Sequence, residues 1–159
     1  MKNVLEYLEQ TAGRFPEKRA VTDPEGSLTF AGLLEKARQA GTYLARYTSP
    51  GQPVGIYMSK SKDAYAAMLG IVYAGCFSVF LNTEQGTLRL RKMVETSGLS
   101  IVLTDRPGEA AQNPAEFRPG MLSQNVQSPD VPGAAGRAEP VSSFWIQQRR
   151  SPQKWTVQP

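Results

Sequence analysis

Residues 54–103 alternate short apolar runs with segments of helical spacing, and this alternation constrains the fold more than any other feature of the chain. The apolar runs are Val54–Met58, Cys76–Leu81 and Ser100–Leu103, and helical spacing falls between them, over Ser61–Ala74 and Thr87–Thr96. Strands joined by helices need crossover connections, so they run parallel, with right-handed crossovers and helices covering the sheet. The sequence therefore predicts an α/β fold built on a βαβαβ parallel-sheet unit.

The residues before this unit predict a helix, a β-hairpin and a second helix. Asn3 can cap a helix that begins at Val4. The segments Arg19–Thr22 and Ser27–Phe30 flank Asp-Pro-Glu-Gly, whose proline and glycine suit the second and fourth positions of a type I turn. Thr29 can then cap a helix that begins directly after it. We therefore expect an N-terminal hairpin and helices packed onto the parallel unit.

The composition favours one globular domain and excludes several kinds of chemistry. The chain has 159 residues, which is enough for a domain with a core. Its 18 basic and 14 acidic residues give a net charge of +4 without a dense basic block, so the charge does not imply a nucleic-acid partner. The absence of histidine removes histidine-based acid–base catalysis, histidine metal ligands and Ser-His-Asp arrangements.

Cysteine usage and hydropathy bear on where the protein works. Cys76 is the single cysteine, so it cannot form a disulfide within the chain. No charged leader precedes a long apolar run, and no apolar run is long enough to span a bilayer. The resulting prediction is a cytoplasmic protein with no membrane partner.

Five motifs between residues 3 and 105 follow one another in the order and spacing of a known family. They are Ser27–Leu33 (S-L-T-F-A-G-L), Pro53–Ile56 (P-V-G-I), Ile71–Phe77 (I-V-Y-A-G-C-F), Leu81–Leu90 (L-N-T-E-Q-G-T-L-R-L) and Ile101–Asp105 (I-V-L-T-D). Together they resemble the AMP-forming adenylating enzymes of the AMP-dependent synthetase/ligase superfamily. That superfamily includes acyl-CoA synthetases, amino-acid adenylation domains, luciferases and D-alanine–carrier-protein ligases. The segments Pro50–Met58 (P-G-Q-P-V-G-I-Y-M) and Tyr73–Phe77 (Y-A-G-C-F) most resemble bacterial amino-acid-activating members, such as the D-alanine ligase type.

The residues that carry the resemblance most directly are structural rather than catalytic in the family. They are Leu28, Thr29, Phe30, Leu33, Ala74, Gly75, Leu81, Asn82, Arg89, Leu90, Thr104 and Asp105. Phe80, Thr83 and Gly86 stand where the family has prolines, and Gly32 stands where it has an acidic residue. A glycine early in a helix costs up to about 1 kcal/mol relative to alanine, and losing prolines loosens a turn. These departures are expected to lower stability and to leave the chemistry unchanged.

The resemblance implies a reaction in which ATP and a carboxylate give an acyl-adenylate and pyrophosphate, followed by transfer to a thiol. In the family this requires a glycine-rich phosphate loop with a lysine, a segment that binds adenine and Mg²⁺, an aspartate for the ribose, and a lysine in a mobile C-terminal domain. All of these lie beyond the matched portion, and no stretch of the chain resembles the phosphate loop. We therefore assign no catalytic, cofactor-binding or metal-binding residue, and we expect no ATP or Mg²⁺ to be bound by this chain alone.

Two local features come nearest to an anion or ligand site. Ser59–Lys62 has hydroxyls and lysines but no glycine, which predicts a helix-capping turn with solvated lysines. The alternative there is non-specific anion binding at a helix N-terminus. Asp105 follows a strand, where ligands of open α/β sheets bind. Because no phosphate cradle accompanies it, we interpret Asp105 as a loop-capping acid.

The composition changes after Asp105. Residues 106–159 hold 8 of the 12 prolines and 7 of the 11 glutamines, with no sustained period of two or 3.6. Such composition predicts disorder. We therefore divide the chain into residues 1–105, an N-terminal fragment of the ligase large domain, and residues 106–159, a low-complexity tail that is disordered or out of the family. One explanation is that the reading frame leaves the family sequence between Asp105 and Gly120, and the other is an evolved interaction tail.

Three functions are left open by the sequence. The first is a truncated N-terminal fragment of an AMP-forming ligase, inactive alone, whose partner is the missing downstream ligase polypeptide. The second is a non-catalytic module that binds a carrier protein or a partner ligase chain through an exposed sheet edge. The third is weak nucleic-acid binding through the aromatic and basic tail residues around Trp145, Arg149 and Lys154. An uncovered strand edge would also leave the isolated chain marginally stable or prone to aggregation.

Overall fold

A computed structural model describes residues 3–105, 145–151 and 154–158 of the chain, and these residues form four helices and seven strands. In chain order they are α1 Val4–Arg14, β1 Arg19–Asp23, β2 Gly26–Thr29, α2 Phe30–Leu44, β3 Pro53–Tyr57, α3 Lys62–Tyr73, β4 Phe77–Phe80, α4 Thr87–Ser97, β5 Ile101–Thr104, β6 Trp145–Ser151 and β7 Lys154–Gln158. No helix among them is long and apolar enough to cross a membrane.

The central sheet has the strand order β4-β3-β5-β6-β7. β3 pairs in parallel with β4 on one side and with β5 on the other, which confirms the predicted βαβαβ unit. The chain therefore steps from β3 to β4 in one direction and crosses back to β5 in the other. Right-handed crossovers in opposite directions require helices on opposite faces of the sheet.

The core has two layers, one on each face of the parallel strands. On one face α3 covers Val54, Ile56 and Leu103, with α2 packed behind it. On the other face α4 buries Leu90 and Val94 against the sheet, as part of a cluster that includes Leu81 and Val102. Each face removes several large apolar side chains from water, at roughly 25 cal/mol per Å² buried. The parallel strands are consequently apolar on both sides, as their continuous apolar runs predict.

Helix caps and turns follow the predicted chemistry. The side chain of Asn3 accepts from the Leu5 N–H at 3.2 Å, and Thr29 Oγ1 accepts from the Gly32 N–H at 3.2 Å. Gly75 and Gly98 adopt positive φ angles of 74° and 64° at the ends of α3 and α4, where a left-handed residue closes a helix. These short-range signals fix where the helices begin and end.

Strands β6 and β7 differ from the expectation of a disordered tail. β6 pairs antiparallel with β5, and β7 pairs antiparallel with β6. Main-chain pairing along an open strand edge does not require an apolar period. β6 (W-I-Q-Q-R-R-S) has no alternation, and β7 (K-W-T-V-Q) alternates over only five residues, so the sequence signal for this hairpin is short. The rest of the predicted tail, residues 106–144, 152–153 and 159, lies outside the described residues.

Candidate functional site

The carboxyl ends of the three parallel strands meet at one edge of the sheet, and this edge is the candidate site. The loop after β3 leads to α3 on one face, whereas the loop after β4 leads to α4 on the opposite face. Open α/β sheets bind ligands where neighbouring connections diverge in this way, beyond the carboxyl ends of the strands. The residues that follow β3, β4 and β5 therefore decide whether a ligand can be held here.

Asp105 links the end of β5 to the loop after β3. Its Oδ2 accepts from the Ser59 N–H at 3.3 Å. The preceding residue, Thr104, is fully buried at the end of the strand. This contact agrees with the interpretation of Asp105 as a loop-capping acid. A carboxylate in this position repels an anionic phosphate and occupies a backbone donor that a phosphate would need.

The loop after β4 is built from the family-motif residues Leu81 and Asn82. The Leu81 N–H donates to the carbonyl of Ile56 at 2.9 Å, and the Leu81 side chain is buried. Asn82 is exposed, and its Oδ1 accepts from the Glu84 N–H at 3.0 Å, which folds the chain into a turn. The Asn82 side chain thus stabilises its own turn through this hydrogen bond, and it does not point to a ligand-binding role.

The turn Ser59–Lys62 caps α3 as predicted, but one of its lysines is not solvated. Ser61 Oγ accepts from the Ala64 N–H at 3.2 Å, and Lys60 is exposed. The Lys62 side chain, in contrast, is only 15% exposed, and its Nζ lies 3.1 Å from Asp23 Oδ1 and 3.5 Å from Glu25 Oε2. The prediction of two solvated lysines is wrong for Lys62, because the β1–β2 hairpin brings two carboxylates to the start of α3.

Asp23 occupies the position that an anion would take at the N-terminus of α3. Its Oδ2 accepts from the Lys62 backbone N–H at 2.9 Å, and its Oδ1 accepts from the Gly26 N–H at 3.0 Å. The hydrogen bond from the Lys62 N–H is the main cause that lowers the pKa of Asp23, and the hydrogen bond to Asp23 raises the pKa of Lys62. The helix dipole and the lysine are thus already neutralised within the chain. The only sequence signal for this contact is an aspartate in a predicted hairpin turn. That signal predicts the turn, but it does not predict that the aspartate also contacts Lys62.

Two further ion pairs hold the helices together. Lys36 Nζ on α2 lies 2.9 Å from the carboxylate of Asp63, which is buried in the first turn of α3. Glu9 on α1 accepts at 2.8 Å from both Arg38 on α2 and the Tyr73 hydroxyl on α3. The Arg38 hydrogen bond, followed by that from Tyr73, lowers the pKa of Glu9. Within residues 3–105 no group of three or more acidic or cysteine side chains could hold a metal ion.

The remaining family-motif residues are spread over the molecule. Leu28, Phe30 and Leu33 pack in the cluster between the hairpin, α1, α2 and α3, and Thr29 caps α2. Ala74 and Gly75 end α3, where the Gly75 carbonyl accepts from the Gly51 N–H at 2.7 Å. Leu90 on α4 is buried against the sheet, and Arg89 beside it is exposed. The structure therefore brings only Leu81, Asn82, Thr104 and Asp105 to the carboxyl edge of the sheet.

Comparison with known proteins gives a family match and several relatives. The sequence matches the family described as "AMP-binding enzyme" over residues 8–156. It is 30% identical over 139 residues to a linear gramicidin synthase of Brevibacillus parabrevis, and this match covers 82% of this chain and 3% of that protein. It is 36% identical over 100 residues to phosphinothricin tripeptide synthetase PhsC of Streptomyces viridochromogenes, covering 62% and 9%.

A solved structure has the same fold over 66% of the chain. It is the N-terminal subdomain of NpsA from Klebsiella oxytoca in complex with 3-hydroxybenzoyl-AMSN, with a TM-score of 0.62 at 21% identity. The superposition covers 66% of this chain and 27% of that one. The chain thus spans less than a tenth of the two synthetases and about a quarter of the solved subdomain.

Proposed function

The chain belongs to the AMP-binding enzyme family, and on that premise we propose that it forms the first part of an adenylate-forming ligase domain and makes no adenylate by itself. The family reaction joins a carboxylate to the α-phosphate of ATP. Its rate depends on positioning the two reactants and on stabilising the charge that develops on the phosphate. Both requirements need cationic or N–H groups that are free to face the nucleotide.

The observation that carries this proposal is that carboxylates of the chain itself accept hydrogen bonds from two backbone N–H groups to which an anion could otherwise bind. Asp23 takes the N-terminus of α3, and Asp105 takes the Ser59 N–H at the carboxyl edge of the sheet. Lys62 is paired with Asp23, and Lys36 is paired with Asp63. The described residues do not fit ATP with Mg²⁺, so we derive no catalytic step through either.

The geometry instead suits a scaffold. β3, β4 and β5 form a rigid parallel unit, with Asp105 holding the loop after β3 in place. On this proposal, the partner is downstream ligase polypeptide that carries the phosphate loop and the nucleotide-binding segments, and the carrier protein that receives the acyl group binds to the assembled enzyme. Nucleic-acid binding by the tail stays a prediction from sequence alone.

Exchange of labelled pyrophosphate into ATP tests the proposal. The purified 159-residue chain is assayed with a panel of amino acids and short carboxylic acids, first alone and then with the polypeptide that the adjoining DNA encodes. We expect a blank signal from the chain alone and amino-acid-dependent exchange once the second polypeptide is present. Exchange by the chain alone that an Asp105→Ala substitution abolishes would overturn the proposal.

A further inference from the structure

The outer edge of β4 is open among the described residues, and we propose that β4 of a second copy of this chain pairs with it, antiparallel. β4 stands at the end of the strand order and pairs with β3. An open strand edge presents a row of main-chain donors and acceptors that another strand can bind. The proposal is independent of whether the chain contributes to adenylate formation.

The backbone of β4 identifies which groups face outward. The Phe77 N–H donates to the Gln52 carbonyl at 3.2 Å, and the Leu81 N–H donates to the Ile56 carbonyl at 2.9 Å. Since main-chain groups alternate in direction along a strand, Phe77, Val79 and Leu81 face β3. The N–H and carbonyl groups of Ser78 and Phe80 therefore point away from the sheet, toward a partner strand.

β4 places one incompletely covered phenylalanine on each face of the sheet. Phe77 is 53% exposed and Phe80 is 54% exposed. Because they are three residues apart, they lie on opposite faces. Val79 and Leu81 share the face of Phe77, where both pack with the α4 cluster. A strand added beside β4 would thus cover exposed phenylalanine surface on each face and would extend the apolar layer on the face of Phe77, Val79 and Leu81.

In one register of two antiparallel copies, the outward main-chain groups of both Ser78 and Phe80 are hydrogen-bonded to the partner strand. Ser78 of one copy pairs with Phe80 of the other, and the exchange is repeated by symmetry. Val79 then lies on the two-fold axis opposite its own counterpart, in a non-hydrogen-bonded pair with Cα atoms about 4.5 Å apart. Phe77 of each copy faces Leu81 of the other, so apolar side chains meet along the shared face. The same surface patch is used by both copies, as a two-fold interface requires.

The sequence around β4 lacks the features that block self-pairing. Natural edge strands are protected by charged residues and proline. Residues 76–82 contain no charge and no proline, and Phe80 stands where the resembled family has a proline, so an outward N–H is present. A second copy fits these conditions, because its own β4 presents the same edge without charge or proline.

The oligomeric state tests the proposal. Light scattering with size-exclusion chromatography over a concentration series should give a mass that approaches twice that of the chain. Phe80→Pro removes the outward N–H without touching the pairing to β3, and it should return the mass to that of one chain at the same concentrations. Phe80→Val keeps the donor and should keep the dimer. Circular dichroism on each variant checks that the fold is retained.

Cross-linking provides a second readout that does not depend on the Phe80 variants. In a Cys76→Ser background, Val79→Cys should oxidise to a disulfide-linked dimer, since the two Cα atoms lie within disulfide reach. Tyr7→Cys, exposed on α1, is the matched control in the same background and should form no disulfide-linked dimer under the same oxidant. A wild-type chain that is monomeric throughout, aggregates without a discrete dimer, or pairs only after a downstream polypeptide is added would overturn the proposal.

Discussion

Asp23 forms hydrogen bonds both within its own turn and with a distant helix. Within its own turn it accepts from the Glu25 and Gly26 N–H groups. Its second oxygen reaches the Lys62 N–H, 39 residues away, and so fastens the hairpin to the start of α3. The sequence Asp-Pro-Glu-Gly was enough to predict the turn, because the residue preferences of a turn act within four consecutive residues. The contact with Lys62 could not be predicted, because no sequence pattern indicates which helix begins beside the hairpin in the folded chain.

The stability of the chain should depend on the ionisation of Asp23. The pKa of Asp23 is lowered in the folded chain, chiefly by the Lys62 N–H, so the contact stabilises above the unfolded carboxyl pKa of about 3.9. That contribution is lost as the pH falls through the lower folded pKa. Asp23→Asn should therefore reduce the urea midpoint at neutral pH and weaken its acid dependence below about pH 4.

The exposed pair Arg91–Glu95 on α4 supplies the control for this experiment. Its Nε–Oε1 distance is 3.0 Å, yet both side chains are more than half exposed. Exposed ion pairs contribute little to stability. Glu95→Gln should leave both the urea midpoint and its pH dependence close to wild type. Equal losses in the Asp23 and Glu95 variants would show that general surface charge, rather than the hairpin contact, is responsible.

At the scale of elements, the sequence predicts what short-range patterns determine. The apolar runs and the capping turn at Ser59–Lys62 are enough to place β3, α3 and β4 and their parallel pairing, and the caps at Asn3 and Thr29 place the starts of α1 and α2. Strands β6 and β7, in which β6 pairs with β5 and β7 pairs with β6, were missed because neither has the long apolar run that identified β3, β4 and β5. The partner of Lys62 was missed for a related reason, since contacts between distant elements leave no periodic signal.

The contact between α2 and α3 depends on small residues. A Cβ atom at Gly70 would lie 2.5 Å from the Cβ of Ala40 and 3.1 Å from the Ala37 carbonyl. Gly70→Ala should therefore force the helices apart and lower the free energy of unfolding by about 1–3 kcal/mol, despite the better helix propensity of alanine. Chemical denaturation measures the change.

Gly13 on α1 is the matched helical glycine. Nothing lies within 4 Å of a Cβ atom built there. Gly13→Ala should raise the free energy of unfolding by up to about 1 kcal/mol, since only helix propensity changes. If both glycine substitutions stabilise the chain, the close packing of α2 on α3 is not as described.

At the scale of the whole molecule, the fold provides a parallel sheet with helices on both faces, and its own carboxylates occupy two of the backbone positions where an anion could bind. β4 and β5 lie on opposite sides of β3. The connections after β3 and β4 therefore run to opposite faces of the sheet, and they begin at the carboxyl edge, where α/β proteins bind ligands. Asp105 and Asp23 then take the backbone N–H groups of Ser59 and Lys62. Membership of the family was predictable from five ordered motifs, whereas the occupation of these donors by acids became visible only in the structure.

The most direct test of this account is a calorimetric titration of the purified 159-residue chain with ATP in the presence of Mg²⁺. We predict no binding heat above dilution, because Asp23 and Asp105 already take the backbone donors at the start of α3 and after β3, and Asp23 also pairs with Lys62. Measurable 1:1 binding of ATP that an Asp105→Ala substitution weakens would contradict the account, since it would show Asp105 acting in a nucleotide site rather than closing a loop.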